Sequence, residues 1–298
     1  MSIVAMSETE GSRGTEIGRA LAAALGWEFA DREIITKAAE SFGEGVTDLR
    51  HATEEKPTLW DRFRQSQQRY ATYVEATVLE MAARDNLVLV GRASTVILRG
   101  VRHALRARVI APELVRAQRI EQHLGLTPEA ALESVRHADH DLGARVRFIY
   151  HVDWNDASLY DVVLNTERLS VTRAVAVLRE MLADEQFTST DASRRELLDR
   201  SLIASARAAL MANPTTRSTP IVVTAASGEV ELTGLVTSEE ERQAAEAAVA
   251  RIPGILGVRN GLFVHGGPVD DLRHGQFRHG AERSWGGYGE QSDRDRQP

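Results

Sequence analysis

The chain has 298 residues, a net charge of −7 and 43% hydrophobic residues. That length suits about two domains, and the acidic balance argues against nucleic acid as a partner held by bulk basicity. There is no cysteine, which excludes disulfides, thiol catalysis and cysteine zinc sites.

No window approaches the roughly 18 apolar residues of a membrane span. No basic region followed by a long apolar stretch opens the chain. A cytoplasmic protein that is not transmembrane is expected. Of 36 basic residues only Lys37 and Lys56 are lysines. Phosphate chemistry here has to rest on arginine, which grips phosphate bidentately.

Ile3–Met6 reads as a short buried strand. A polar turn with Gly11 and Gly14 follows. Thr15–Leu25 then has helical periodicity, with Ile17, Leu21 and Leu25 on one face. Strand, glycine turn and helix are the layout of a phosphate-binding loop, in which backbone N–H groups and a helix N-terminus hold an anion. The loop does not match GxxxxGK[ST]. A plain strand-to-helix turn using glycine for its backbone freedom has the same layout.

Trp27–Ala30 is a short apolar piece, and Asp31 is placed to cap a helix over Arg32–Ser41. Residues 43–66 give no clear element. Gln67–Arg84 is an amphipathic helix, with Tyr70, Val74, Val78 and Met81 at helical spacing. Leu87–Val90 is an apolar strand, and Gly91-Arg92-Ala93-Ser94 follows it. Leu105–Ala111 is a strand stopped by Pro112. A helix over Glu113–His123 carries Arg116 and Arg119. Thr127-Pro128 starts another helix, which runs into a polar stretch over residues 136–147. Leu159–Asn165 is a strand, and Ser170 caps a helix to about Asp184.

Strands alternating with helices predict an α/β fold, a parallel sheet with helices on both faces. Ligands of such sheets sit at the carboxyl ends of the strands. Four polar clusters follow predicted strands: Glu10–Thr15, Asp31-Arg32, Gly91-Arg92 and Asn165-Thr166.

Residues 185–195 read as a polar linker. Beyond it lies a small α+β module over residues 196–265. Its elements are a helix over Arg194–Ala212, strands Ile221–Ala225 and Glu229–Val236 around the hairpin signal Ser227-Gly228, a helix over Ser238–Arg251 and a strand over Val258–Val264. From Gly266 onward the glycine-rich, charged sequence reads as a disordered tail over 266–298. Its histidines read as solvated rather than metal-binding.

The stretches EGSRGTEIGRALAAALGWEFADREIITKAAE, LVLVGRASTVIL, ARVIAPELVRAQRI and DWNDASLYDVVLNTERLS occur in this order. Through them residues 3–182 resemble the cytidylate kinase-like family, a branch of the P-loop nucleoside monophosphate kinases. The stretch GEVELTGLVTSEEERQAAEAAVARIPGILGVRNGLFV, with Gly234, Gly254, Val258 and Asn260, resembles a BON domain. The resemblance implies a kinase-like domain over residues 1–184. Its reaction would be transfer of the ATP γ-phosphoryl group to CMP, dCMP or a related monophosphate, with ATP and Mg²⁺ as cofactors.

In that family reading, Gly11, Ser12, Arg13, Gly14 and Thr15 surround the ATP phosphates. Asp31 and Arg32 match an acceptor-side motif, and Arg92 holds the acceptor's phosphate. Arg116 and Arg119 match basic positions on the substrate side. Asp139, Asp141, Arg145 and Arg147 fall in the lid, whose arginines neutralise the transferring group. Ser12 and Thr15 are the candidate magnesium contacts, and the metal ligands stay unassigned.

The residues by themselves leave alternatives open. Asp31 is also a helix cap, and Arg92 is also a sheet-edge cap. Arg116 and Arg119 also fit one solvated face, and residues 136–147 also fit a salt-bridged surface helix. The family's loop usually reads GSGG, while related P-loop kinases use a lysine. Here Arg13 replaces a glycine and no lysine is near. Arg13 therefore either substitutes for the missing cation or obstructs the loop. Three functions follow: a nucleotide kinase, a catalytically weak nucleotide-binding regulator of the BON module, or a protein in which the BON module is primary. BON domains point to a protein or envelope partner.

Overall fold

The computed structural model describes residues 2–31, 33–42 and 60–265, with side chains from residue 67 onward in the last segment. Arg32, residues 43–59 and the expected tail at 266–298 lie outside the described residues.

Five strands form the first sheet: β1 (Ile3–Glu8), β2 (Glu28–Ala30), β3 (Leu87–Val90), β4 (Ala104–Ile110) and β5 (Val162–Asn165). Their order is β2-β3-β1-β4-β5, and every pair is parallel. Ile3–Met6 and Leu87–Val90 are fully buried. Continuous apolar runs of this kind belong to strands covered on both faces. Alternate residues feed opposite layers. Val4, Met6, Val88 and Val90 pack with Ile17 and Leu21 of α1 (Gly14–Leu25) and Leu178 of α7 (Val171–Leu182). Ile3, Ala5, Leu87 and Leu89 pack with Ile34 of α2 (Glu33–Phe42) and with Tyr73 and Val74 of α3 (Trp60–Ala82). The fold is the α/β parallel sheet that the sequence predicts.

Ile3 pairs with both Leu87 and Ala104. This register brings the carboxyl ends of β1, β3 and β4 to one edge of the sheet. The central strand β1 lies between β3 on one side and β4 on the other.

Several elements differ from the sequence reading. α3 begins at Trp60, inside the stretch that gave no element. Short α4 (Ser94–Ile97) follows Gly91 and is too brief to show periodicity. α5 spans Glu113–Leu124. α6 is one continuous helix over Pro128–Tyr150, so the polar stretch 136–147 takes the helical alternative. Only Ala131, Val135 and Val146 of α6 are buried, which left little apolar pattern to read. β5 starts later than predicted, because Ala157–Leu159 forms a 3₁₀ turn.

Residues 185–195 are not a bare linker. They hold a 3₁₀ turn (Glu185–Phe187) and the first residues of α8 (Asp191–Ala212). A capping box between Thr190 and Ser193 starts that helix. Leu197, Ala204 and Ala208 of α8 join the core beneath the five-stranded sheet. Leu202, Ala206 and Leu210 join the core of the second sheet. One helix thus buries two stripes, each in a different core.

The second sheet orders β6 (Val222–Ala226), β7 (Glu229–Val236) and β8 (Gly257–Val264) as β6-β7-β8. β6 and β7 are antiparallel, and β7 and β8 parallel. α9 (Glu239–Val249) makes the crossover. The predicted hairpin turn is present. Ser227 (φ 54) and Gly228 (φ 86) are both left-handed, as a two-residue turn matched to the strand twist requires. The carboxylate of Asp199 in α8 accepts both turn N–H groups, at 3.1 and 3.3 Å.

Candidate active site

The loop after β1 is shaped by left-handed backbone at Gly11 (φ 75) and Arg13 (φ 68). Arg13 is the N-cap of α1. Left-handed backbone at a non-glycine residue costs about 1–2 kcal/mol, so this conformation is held by its surroundings. They come from behind the loop. Arg116 of α5 donates to the Glu10 carbonyl at 3.2 Å. Arg119 donates to the Gly11 carbonyl at 3.0 Å. The Thr166 hydroxyl donates to the Ser12 carbonyl at 2.8 Å. A trans peptide points its N–H opposite to its C=O, so the N–H groups of Gly11, Ser12 and Arg13 point away from this clamp. The Ser12 N–H is satisfied by the Thr9 carbonyl.

Arg116 and Arg119 were placed on the substrate side by the family reading. In the structure their donors go to the protein itself. Arg116 is 5% exposed. It also donates to the Ala111 carbonyl and binds the Asp139 carboxylate with both terminal nitrogens. Arg119 adds Thr166 Oγ1 and the Thr166 carbonyl. Burial lowers the Arg119 pKa, and the nearby charge of Arg13 adds to the effect. Neither arginine sits on a solvated face.

The four residues expected in the lid part ways. Asp139 reaches Arg116. Asp141 is exposed and sits 3.3 Å from His137 one turn away. Arg147 is exposed, 3.9 Å from Asp153. Half-buried Arg145 lies near Tyr70 of α3, where it and Arg92 lower the phenol pKa against the larger, raising effect of burial. Arg92 and Arg145 thus converge on one buried phenol. Gly91, Arg92 and Ala93 (φ 77, 54 and 55) make three successive left-handed residues. Strained backbone of this kind clusters at ligand sites. The Arg92 Nε is fully buried with no hydrogen-bond partner among the described residues.

Two cavities meet at the strand ends. The larger, of about 570 Å³, is lined by Glu8, Gly11, Arg13, Thr15 and Asp31 among others. Arg13 is exposed, and its guanidinium has no hydrogen-bond or ion-pair partner among the described residues. The smaller cleft is lined by Glu8, Arg92, Leu142, Val146, Trp154 and Tyr160 among others. The Asp31 carbonyl accepts the Ile34 N–H at the start of α2, and the Asp31 N–H donates to Glu33.

Sequence reasoning missed Glu8, which lines both cavities. Its carboxylate accepts the Thr15 N–H at 2.8 Å and the Thr15 hydroxyl at 2.6 Å. A Cβ on Gly14 would lie 2.5 Å from the Glu8 side chain, so Gly14 is required by that carboxylate's close approach. Burial raises the Glu8 pKa, hydrogen bonds from Thr15 and Gly14 lower it, and the charge of Asp31 raises it further. The available signal was a carboxylate at the end of a buried strand, six residues before a helix start. Arg108 was also missed. It is buried on β4, 4.2 Å from the Trp154 ring, and donates to the Tyr160 hydroxyl and to Asn155. It props the wall of the smaller cleft.

Magnesium needs oxygen donors in near-octahedral array. No group of three or more acidic or histidine side chains suited to a metal occurs among the described residues. The Thr15 hydroxyl is engaged by Glu8, and Ser12 Oγ is fully buried.

The model of the cytidylate kinase-like family matches residues 3–168. The chain belongs to this family. A BON domain model matches residues 199–266. A cytidylate kinase of Ignicoccus hospitalis is 25% identical over 183 residues, covering 61% of this chain and 99% of that protein. One from Pyrobaculum calidifontis is 27% identical over 178 residues, covering 59% of this chain and 90% of its own. A crystal structure of an uncharacterized protein from Eubacterium ventriosum superposes with a TM-score of 0.50 at 16% identity. It covers 62% of this chain and 100% of that one, and it supports the fold alone. No helix among the described residues is long and apolar enough to cross a membrane.

Proposed function

We propose that the chain is a nucleoside monophosphate kinase, moving the ATP γ-phosphoryl group to CMP, dCMP or a related monophosphate. The observation that carries this reading is the meeting of two cavities at the carboxyl ends of β1 and β3, one bounded by the clamped loop and the other by Arg92. Phosphoryl transfer needs little covalent chemistry from a protein; it needs in-line positioning and positive charge.

ATP phosphates lie along Gly11–Thr15. The clamp from Arg116, Arg119 and Thr166 holds the loop by its carbonyls, so the backbone path is set before phosphate arrives. Arg13, unpaired and facing the larger cavity, supplies charge that a loop lysine supplies elsewhere. Arg92 and Arg145 take the acceptor's phosphate, and the unpartnered Arg92 Nε is a donor ready for it. Magnesium, where it takes part, comes on the nucleotide with water completing its shell. The smaller cleft has a volume of about 40 Å³, room for a water molecule but not a nucleotide. Acceptor binding therefore requires α6, which carries Leu142 and Val146, to move outward.

The second reading is a weakly catalytic regulator. It is favoured by α8, whose residues lie in the cores of both modules. The open face of the BON sheet exposes Val222, Leu235 and Phe263, which suits a protein or envelope surface. Thermal-shift titration with a nucleotide panel tests the shared premise, because a ligand of the native state raises the melting temperature. A rise with ATP and with a cytidine monophosphate supports the kinase. A rise with ATP alone supports the regulator.

A further inference from the structure

The N-terminus of α1 already holds an anion. Helix N-termini attract negative charge through their unsatisfied N–H groups and dipole. In this chain the Glu8 carboxylate sits there, on the Thr15 N–H and hydroxyl. It packs against Gly14 so closely that no side chain fits at that position. The charge around it is mostly negative. Asp31, Glu10 and Glu16 share the cavity wall with Glu8, against Arg13 and Arg19.

Glu8 also borders the Arg92 cleft. It lines both cavities. Nothing in the proposed reaction uses a carboxylate at this point, and a phosphate oxygen and a carboxylate oxygen seek the same donors.

We propose that Glu8 is an internal competitor for phosphate, a specificity-determining residue whose carboxylate must leave Thr15 before a nucleotide's phosphate can take its place. The proposal rests on the reading of Gly11–Thr15 as a nucleotide's phosphate site. Glu8 thereby disfavours bare phosphate anions. It favours nucleotides whose charge is offset by a cation or whose remaining contacts displace the carboxylate.

Calorimetric titration of the full chain tests this, using ATP and inorganic tripolyphosphate, each with and without Mg²⁺. The proteins are the parent, Glu8→Gln and Glu8→Ala. Gln keeps the shape and removes the charge; Ala clears the Thr15 donors. Thermal unfolding confirms that each variant is folded. Both variants are expected to bind metal-free ATP and tripolyphosphate about tenfold or more tighter than the parent, the scale of one hydrogen bond to a charged group. The gain should shrink when Mg²⁺ is present. Equal affinity in all three proteins overturns the proposal while leaving the phosphate site standing. Weaker binding by the variants also overturns it, and makes Glu8 a contact the nucleotide needs. Absence of binding in all three, with and without Mg²⁺, overturns the proposal together with the phosphate site.

Discussion

Arg116 of α5 binds the Asp139 carboxylate of α6 with both terminal nitrogens, at 3.1 and 2.7 Å, while the same guanidinium holds the Glu10 carbonyl at 3.2 Å. One buried cation therefore ties helix α6 to the loop after β1.

Removing that cation leaves Asp139 and a loop carbonyl without their partner. Arg116→Ala is expected to destabilise the fold by about 2–4 kcal/mol, below the full range for a broken buried pair because Asp139 keeps some solvent access. Urea unfolding measures it. A double-mutant cycle with Asp139→Asn should show coupling above about 0.5 kcal/mol. Additive losses would mean that the two side chains act separately.

Arg92 is expected to serve the acceptor and not ATP. Arg92→Ala should weaken monophosphate binding by about 1.5–3 kcal/mol, the value of a hydrogen bond to a charged group, with ATP affinity nearly unchanged. Calorimetry with each nucleotide decides. Loss of ATP binding with the monophosphate retained would reverse the assignment.

Arg13 separates charge from backbone. Arg13→Ala should cut turnover by about 10³ or more, as removal of an arginine clamp does. Arg13→Gly should lose the same activity yet stabilise the fold by about 1 kcal/mol, because glycine adopts φ 68 without strain. Higher turnover in Arg13→Gly would show that the arginine obstructs the loop.

Much of this was legible in the residues. Ile3–Met6 and Leu87–Val90 announced buried parallel strands by unbroken apolar runs. Ser227-Gly228 announced its hairpin, and Thr127-Pro128 the start of α6. What stayed hidden was long-range. Arg116 and Arg119 fitted a substrate-side role and a solvated face equally well, because the carbonyls of Glu10 and Gly11 that they hold lie more than 100 residues away in sequence. Glu8 carries no motif, and only its folded position beside Thr15 gives it meaning. α8 read as part of one module because its second apolar stripe meets residues of α3, far earlier in the chain.

That second stripe has a consequence for stability. Leu197 is 2% exposed in the first core, on a helix that also serves the second core. Leu197→Ala is expected to cost about 2–5 kcal/mol and to lower the unfolding midpoint of both modules together. Urea unfolding followed by circular dichroism and by amide exchange in β7 reads both. Separate transitions, with only the first module shifted, would mean that the modules fold independently and that α8 does not couple them.

Phosphoryl transfer between two nucleotides is read directly from its products. The direct test incubates the full chain with ATP, Mg²⁺ and each nucleoside monophosphate in turn, and separates the products by chromatography. ADP and a cytidine diphosphate are expected in equal amounts, formed only when CMP or dCMP is present and lost in Arg92→Ala. Tight ATP binding with no diphosphate product from any monophosphate would contradict this expectation and leave the regulator.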